Sequence, residues 1–409
     1  MLVHAWLAAL GLAPLKQQSF WDLTLYRYWM WLGIHEGQWP VLSGDWVYPA
    51  GALVPMLLPS VGGTDRDGLY LVLWCVMVAA LDAVAVAMLT RRGRRLLGAW
   101  WWLAFLVLLG PIAMGRLDAV VVPLVVAALL VGLSHPRVAS VLLTAGAWIK
   151  VAPGPLLAAL FLAVRRPWRD VVAPAAAVSL VVVGLVVMGG GAGHVASFLG
   201  AQGTRGLQIE SPGATPWVLL GLVSGSVDRY VNRELITWEI RGPGSNVMAD
   251  FLGVAFALAL AAGALLLWWC RQREGERFWH DETARAQLLV RGAMLLTLVT
   301  IVFNKVGSPQ YMTWLAAPVA VALALRLPGW RRTAAVTLGV GLATQLVFPW
   351  FYSQITGGWP VMSLVLAARN VALVWLLVVT VLALVREARA RETVEPAPDE
   401  PGLEARPAR

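Results

Sequence analysis

Long uninterrupted apolar stretches limit what this chain can become. They run near residues 69–90, 96–112, 117–133, 171–190, 248–269, 286–303, 312–326, 334–352 and 363–385. A helix needs about 20 apolar residues to cross a hydrocarbon core. Backbone polar groups in that core must satisfy one another, which leaves helices and closed barrels. Barrel strands alternate apolar and polar residues, and these stretches do not. The chain is 59% hydrophobic and 13% charged, against roughly 45–50% and 25% in soluble domains. Disorder, collagen and coiled coil are excluded by the same numbers. The expected fold is an all-α polytopic membrane protein.

The ends and one inner region are read separately. Residues 2–14 are apolar but short, without the basic start and small-residue cleavage site of a signal peptide. They read as a first span that is thin or lacks its true beginning. Residues 138–164 lie between two arginine-bearing connections and are interrupted by Lys150-Val151-Ala152-Pro153. Two arms of about 13 residues reach roughly 20 Å each at 1.5 Å per residue, short of the ~30 Å core. The turn is therefore expected below the membrane surface. Counting these arms gives about 12 transmembrane helices in one integral membrane domain, 1–385. Residues 386–409, rich in Arg, Glu and Pro, read as a disordered cytoplasmic tail.

Cations orient the spans. Connections 91–95, 134–137, 165–170, 270–285 and 326–332 hold 15 Arg in 38 residues, and the opposite set holds 10 Lys or Arg in about 135. Positive charge marks the cytoplasmic side, so both termini are expected there, in a plasma membrane. The net charge of +9 thereby belongs to membrane topology, and no nucleic-acid partner is inferred. Cys75 and Cys270 offer neither a disulfide framework nor a metal site. No cofactor or metal ligand set is expected.

Two long loops on the outer side, 15–68 and 191–247, gather the residues capable of chemistry. The second includes NRELITWEIRGPG, a candidate hairpin. Trp21, Trp29, Trp31, Trp39 and Trp46 crowd the first loop, as an interfacial belt or a platform for sugar rings. Arg outnumbers Lys 29 to 3, yet Lys150 and Lys305 sit at a buried turn and a span end. A cation near mid-bilayer costs at least about 2.5–3.5 kcal/mol and so tends to face a wet cavity or an anion. A phosphate entering from the lipid phase is one such anion; a structural carboxylate is another. Arg369 inside the last span belongs to the same class, whereas Arg291 near the cytoplasm reads as snorkelling. Asp22, Asp118 beside Arg116, and Glu210 are the complementary carboxylates. Asp45 and Glu36 have weaker claims, and Asp82 reads as structural. Zinc-protease, P-loop and nucleophile-elbow motifs do not occur.

The order of motifs is DLTLYRYW, WVYPAG, GRLDA, AWIKVAPGPLL ahead of RRPW, RGLQIESPGATP and KVGSPQYMTW. It resembles glycosyltransferase family 87, the polyprenol-phosphate-mannose-dependent mannosyltransferases of the GT-C superfamily, over nearly the whole chain. The resemblance implies a GT-C-like fold with short broken helices and an inverting transferase whose site opens to the outer face. It implies that Asp22 is the catalytic base and that Lys150 and Lys305 bind the donor phosphate; Arg369, a cation of the same class inside a span, joins them as a third candidate. Tyr26, Arg116, Asp118, Arg205, Glu210, Gln310 and Tyr311 become the candidate substrate contacts. Implied partners are a polyprenyl phosphate sugar donor, a glycolipid or lipid-linked glycan acceptor, and membrane lipids. Some mannosyltransferases carry a His-His pair shortly after the late Ser-Pro; this chain reads SPQYMTW instead.

The chemistry fits the residues independently. A donor that carries its own phosphate leaving group needs no nucleotide-binding domain. A carboxylate can take the acceptor proton, and fixed cations stabilise the departing phosphate. A lipid-linked-sugar flippase or transporter would also use buried cations and broken helices. Its site, however, must be reachable from both sides, and here the polar residues collect on one. A scaffold subunit would leave Lys150 unexplained.

Overall fold

The fold was analysed in a computed structural model that describes residues 1–13, 19–91, 96–200, 205–233 and 236–392. Lys16, residues 92–95 of the first arginine-rich connection and residues 393–409 of the expected tail lie outside the described residues. The chain opens with α1 (Leu2–Leu12), α2 (Trp21–Glu36), α3 (Leu53–Leu57), α4 (Asp67–Arg91), α5 (Leu97–Leu109) and α6 (Asp118–Val131). Next come α7 (Pro136–Ile149), α8 (Leu156–Ala163), α9 (Ala173–Met188), α10 (Ser197–Gly200) and α11 (Thr215–Leu220). A hairpin of β1 (Asp228–Asn232) and β2 (Thr237–Arg241) precedes α12 (Ser245–Arg273) and α13 (Glu282–Val302). The chain ends with α14 (Ala316–Ala324), α15 (Arg331–Gln345), α16 (Tyr352–Thr356) and α17 (Pro360–Glu392).

Six helices among the described residues are long and apolar enough to cross a membrane: 67–90, 168–188, 245–273, 282–302, 331–350 and 360–390. The other expected spans form shorter helices, and local chemistry explains where two of them stop. Gly110, at φ 79°, takes a left-handed backbone and is followed by Pro111, which together end α5. The α7 helix stops at Ile149 because Lys150 is extended, and Pro153 and Pro155 delay resumption until Leu156. The short arms expected around Lys150 are thus present, at 14 and 8 residues. A hairpin is present in the second long loop, but its first strand, Asn232 apart, lies upstream of the expected segment, which supplies the turn and the second strand: Asp228 pairs with Arg241 and Asn232 with Thr237.

Helix α13 is the hub. Its span is 89% buried, against 11% for 168–188 and 22% for α12, so the last two keep most of their apolar surface for lipid. Small residues let helices close on one another. A Cβ on Gly98 of α5 would lie 2.6 Å from the Ala320 carbonyl and 2.9 Å from Ala324 Cβ on α14. Gly98→Leu should therefore lower stability by about 1–3 kcal/mol, read as a reduced Tm in detergent; an unchanged Tm would mean this crossing is loose.

One end of the bundle is arginine-rich and closed. Arg291 is 5% exposed, pairs with Glu387 at 2.9 Å and donates to the Pro328 carbonyl at 3.0 Å. It does not snorkel as its position in the sequence suggests, because α17 brings a carboxylate to it. Arg285 donates to the Ala163 carbonyl, and Arg271 lies 4.4 Å from the Trp279 ring. Deeper in the bundle, Asp82 on α4 is paired with His4 on α1 at 2.8 Å, as befits a buried structural carboxylate. Cys75 and Cys270 are buried free thiols. The opposite end carries the long loops, which hold one another: Trp46 N–H donates to Ser197 Oγ at 2.9 Å, and His194 meets Asp45 at 2.7 Å.

Candidate active site

Helix α2 lies along the loop-bearing end with Leu23, Tyr26, Met30 and Gly33 buried at helical spacing. Gly37 closes it in the left-handed conformation. Asp22 sits in its first turn, where the helix N-terminus favours a carboxylate. Its side chain is 32% exposed and pairs with Arg116 at 3.0 Å. Arg116 is itself anchored, donating to the Ser19 carbonyl at 2.6 Å and to the Gly115 carbonyl at 2.9 Å. This fixes Asp22 against the turn that leads into α6.

Two residues further on, Asp118 opens α6 with 1% exposure. One carboxylate oxygen accepts from Lys150 Nζ at 3.1 Å, the other from Trp314 Nε1 at 2.7 Å. The Lys150 ammonium also lies 5.4 Å from the Tyr48 ring and 5.5 Å from the Tyr311 ring, within cation–π range. Tyr311 stacks on Trp314 with centroids 4.2 Å apart. The short GRLDA segment therefore supplies one partner to each of two ion pairs.

An aromatic wall joins the pairs. Tyr26 and Tyr48 meet edge to face at 6.1 Å, Trp29 packs on both, and Trp46 closes on Trp29 at 5.4 Å. Tyr26 Oη also donates to Asp22 at 3.5 Å. Burial holds the Tyr48 phenol above its ordinary pKa; Lys150 opposes this, while Asp22 and Asp118 add to it. Asp22, Asp118 and Lys150 thus act on the same phenol. The loop tryptophans divide: Trp29 and Trp46 belong to this wall, whereas Trp21 is 60% exposed.

A second polar cluster lies between the loop 205–215, the segment 304–311 and α17. Glu210 is 1% exposed and accepts from Gln208 Nε2 at 2.8 Å and from Tyr352 Oη at 3.4 Å. Burial pushes its carboxyl up to about 7, against the pull of Arg369, Tyr352 and Gln208. Arg369 donates to the Glu210 backbone carbonyl, and Asn370 Nδ2 reaches the Ser211 carbonyl at 3.2 Å and Thr215 Oγ1 at 2.8 Å. Burial lowers the Lys305 ammonium below its usual range, with Asp250 and Glu239 opposing and Arg205 adding.

The structure thus brings Asp22, Tyr26, Arg116, Asp118, Lys150 and Tyr311 into one cluster. Arg205, Glu210, Lys305 and Arg369 fall in the other, so the three expected phosphate-binding cations are not side by side. Gln310, between the clusters, accepts from Thr313 Oγ1 through its backbone carbonyl at 2.6 Å. Sequence reasoning did not single out Tyr48, Trp314, Gln208, Tyr352 or Asn370. Tyr48, Gln208 and Trp314 stand inside recognised motifs, so their signal was present; Tyr352 and Asn370 carry none.

The model of glycosyltransferase family 87 matches residues 46–230, a stretch that contains Tyr48, Arg116, Asp118, Lys150 and Glu210. Over that stretch the chain matches a family of glycosyltransferases. No curated protein and no solved structure matches it.

Proposed function

We propose that this protein is a glycosyltransferase that moves a sugar, mannose first among candidates, from a polyprenyl phosphate donor to a cell-envelope glycolipid or lipid-linked glycan. The reaction takes place at the outer face of the plasma membrane and inverts the anomeric centre. Asp22 is the general base. The observation that carries this reading is the convergence of Asp22–Arg116 and Asp118–Lys150 on Tyr26 and Tyr48. Asp22 touches Tyr26, the Lys150 ammonium lies over Tyr48, and those two rings are in contact.

In the reaction the acceptor O–H loses its proton to Asp22 as its oxygen attacks the anomeric carbon. The bond from that carbon to the phosphate oxygen breaks on the opposite side, and polyprenyl phosphate leaves with one more negative charge. Lys150 stabilises that growing charge more in the transition state than in the ground state. Its ammonium has three donors, one of which is held by Asp118. Tyr311 and Trp314, stacked on each other and buried, hold the Lys150–Asp118 pair from one side.

A groove of about 560 Å³ supports a lipid donor. It is lined by α8, α9 and α12 residues including Leu157, Phe161, Ala176 and Trp268. Its upper end borders the Lys150 turn, since Ser179 in its wall accepts from Trp148 Nε1 at 3.0 Å. Ala176 is exposed, so Ala176→Trp fills the groove without touching the core. Overpacking a contact costs about 1–3 kcal/mol. The variant should accordingly lose roughly five- to a hundredfold in kcat/KM with a long-chain donor and little with a short-chain one. Equal losses with both would place the tail elsewhere.

The direct test is incubation of the purified protein in detergent with polyprenyl phosphate mannose. A transferase forms product with an acceptor extract, or slowly hydrolyses the donor. If neither happens while the lipid moves between leaflets in vesicles, the protein is a flippase.

A further inference from the structure

We infer that Glu210 is a positioning residue: with Gln208 it clamps the segment 305–311 and so sets where Tyr311 and Trp314 meet Lys150 and Asp118. The inference rests on the reading of that cluster as the reaction site.

Three hydrogen bonds make the clamp. Gln208 N–H donates to the Lys305 carbonyl at 3.0 Å. Gln208 Oε1 accepts from Gly307 N–H at 2.9 Å, and Gln208 Nε2 donates to Glu210 Oε2 at 2.8 Å. Glu210 Oε2 accepts from Gln208 Nε2, a role it can fill whether the carboxyl is ionised or carries its proton on the other oxygen. That acceptor at 210 turns the Gln208 amide so that its oxygen faces Gly307. The carboxylate cannot drift, because Arg369 and Asn370, 1% and 2% exposed, hold the backbone carbonyls of Glu210 and Ser211. Gly307 lies so close to the Glu210–Ser211 backbone that a Cβ there would overlap it.

The segment runs straight from the clamp into the reaction site. Ser308 begins the turn Pro309–Leu315 by accepting from Tyr311 N–H at 3.0 Å. That turn carries Tyr311 to the Lys150 ammonium and Trp314 to Asp118. A shift of the segment at Gly307 is therefore a shift of the groups that orient Lys150. Glu210 itself is too buried to touch a substrate, so its influence passes through Gln208 and the backbone.

The experiment compares Glu210→Ala, Glu210→Gln and Gln208→Met in the full-length protein in detergent, with polyprenyl phosphate mannose and an acceptor extract. Misplacement of about 1 Å far from the chemistry can cost a hundredfold. Glu210→Ala and Gln208→Met should lower kcat by about ten- to a hundredfold and leave both KM values within about twofold. Glu210→Gln still offers an acceptor oxygen to Gln208, and should keep kcat within about threefold. Backbone amide exchange over 304–315 should quicken in the first two variants and stay as in the parent in the third. A rise in KM at unchanged kcat would make Glu210 a substrate contact and overturn the inference. Unchanged exchange over 304–315 in both Glu210→Ala and Gln208→Met would overturn it too. Absence of turnover in the parent protein would instead overturn the transferase reading, and the exchange data would still decide the clamp.

Discussion

Asp22→Asn lowers sugar transfer by about 10²–10⁴-fold, the range expected for loss of a general base, while donor binding stays within about twofold. An amide at 22 keeps an oxygen for Arg116 but cannot take the acceptor proton. Arg116 retains its bonds to the Ser19 and Gly115 carbonyls, so the turn into α6 holds and the protein still folds. The side chain is 32% exposed, so the exchange removes no packing. Product formation is followed by mass spectrometry, and donor affinity by titration of the same preparation. Near-parental turnover in this variant removes Asp22 from the mechanism and leaves the two ion pairs as architecture.

The second large effect comes from Lys150, and it takes two variants to read. Lys150→Met strands the Asp118 carboxylate, 1% exposed, and leaves it the Trp314 indole as its side-chain donor among the described residues. Breaking a buried pair in this way costs about 3–5 kcal/mol, so a loss of activity in the single variant mixes function with folding. Lys150→Met combined with Asp118→Asn removes both charges and keeps an oxygen for Trp314. Its Tm should recover most of the way to the parent value. Donor affinity should not recover: losing a charge-assisted hydrogen bond worth about 1.5–3 kcal/mol weakens it by roughly ten- to a hundredfold. The acceptor KM should stay put. A double variant that binds donor as well as the parent would show that Lys150 serves only to neutralise Asp118.

Much of this architecture was legible before any coordinates. Apolar run length located the long helices to within about four residues, because hydrocarbon thickness leaves little latitude; the exception is α17, which runs on to Glu392, seven residues past its expected end and into the stretch expected as tail. The break at Lys150 was legible too, since a charged residue followed by two prolines cannot continue a helix. The sequence read less well wherever a partner comes from a distant segment. Arg291 looked like an end-of-helix cation reaching for water, but Glu387 lies 96 positions away and only packing brings them together. Arg369 looked equivalent to Lys150, two lone cations in apolar runs. One reads a backbone carbonyl beside Asn370, and the other sits between two phenol rings. Periodicity cannot separate those cases, because it reports which face is covered and not by what.

The interrupted pair α7 and α8 has one more consequence. Those arms stop short of full thickness and a lateral groove runs up to the turn between them, so under the proposed function a lipid donor would bring its phosphate to Lys150 by sliding sideways within its own leaflet. The search for substrate would then be two-dimensional. Turnover in cells should track the surface density of the donor and the fluidity of the bilayer, and be indifferent to how dilute the surrounding medium is.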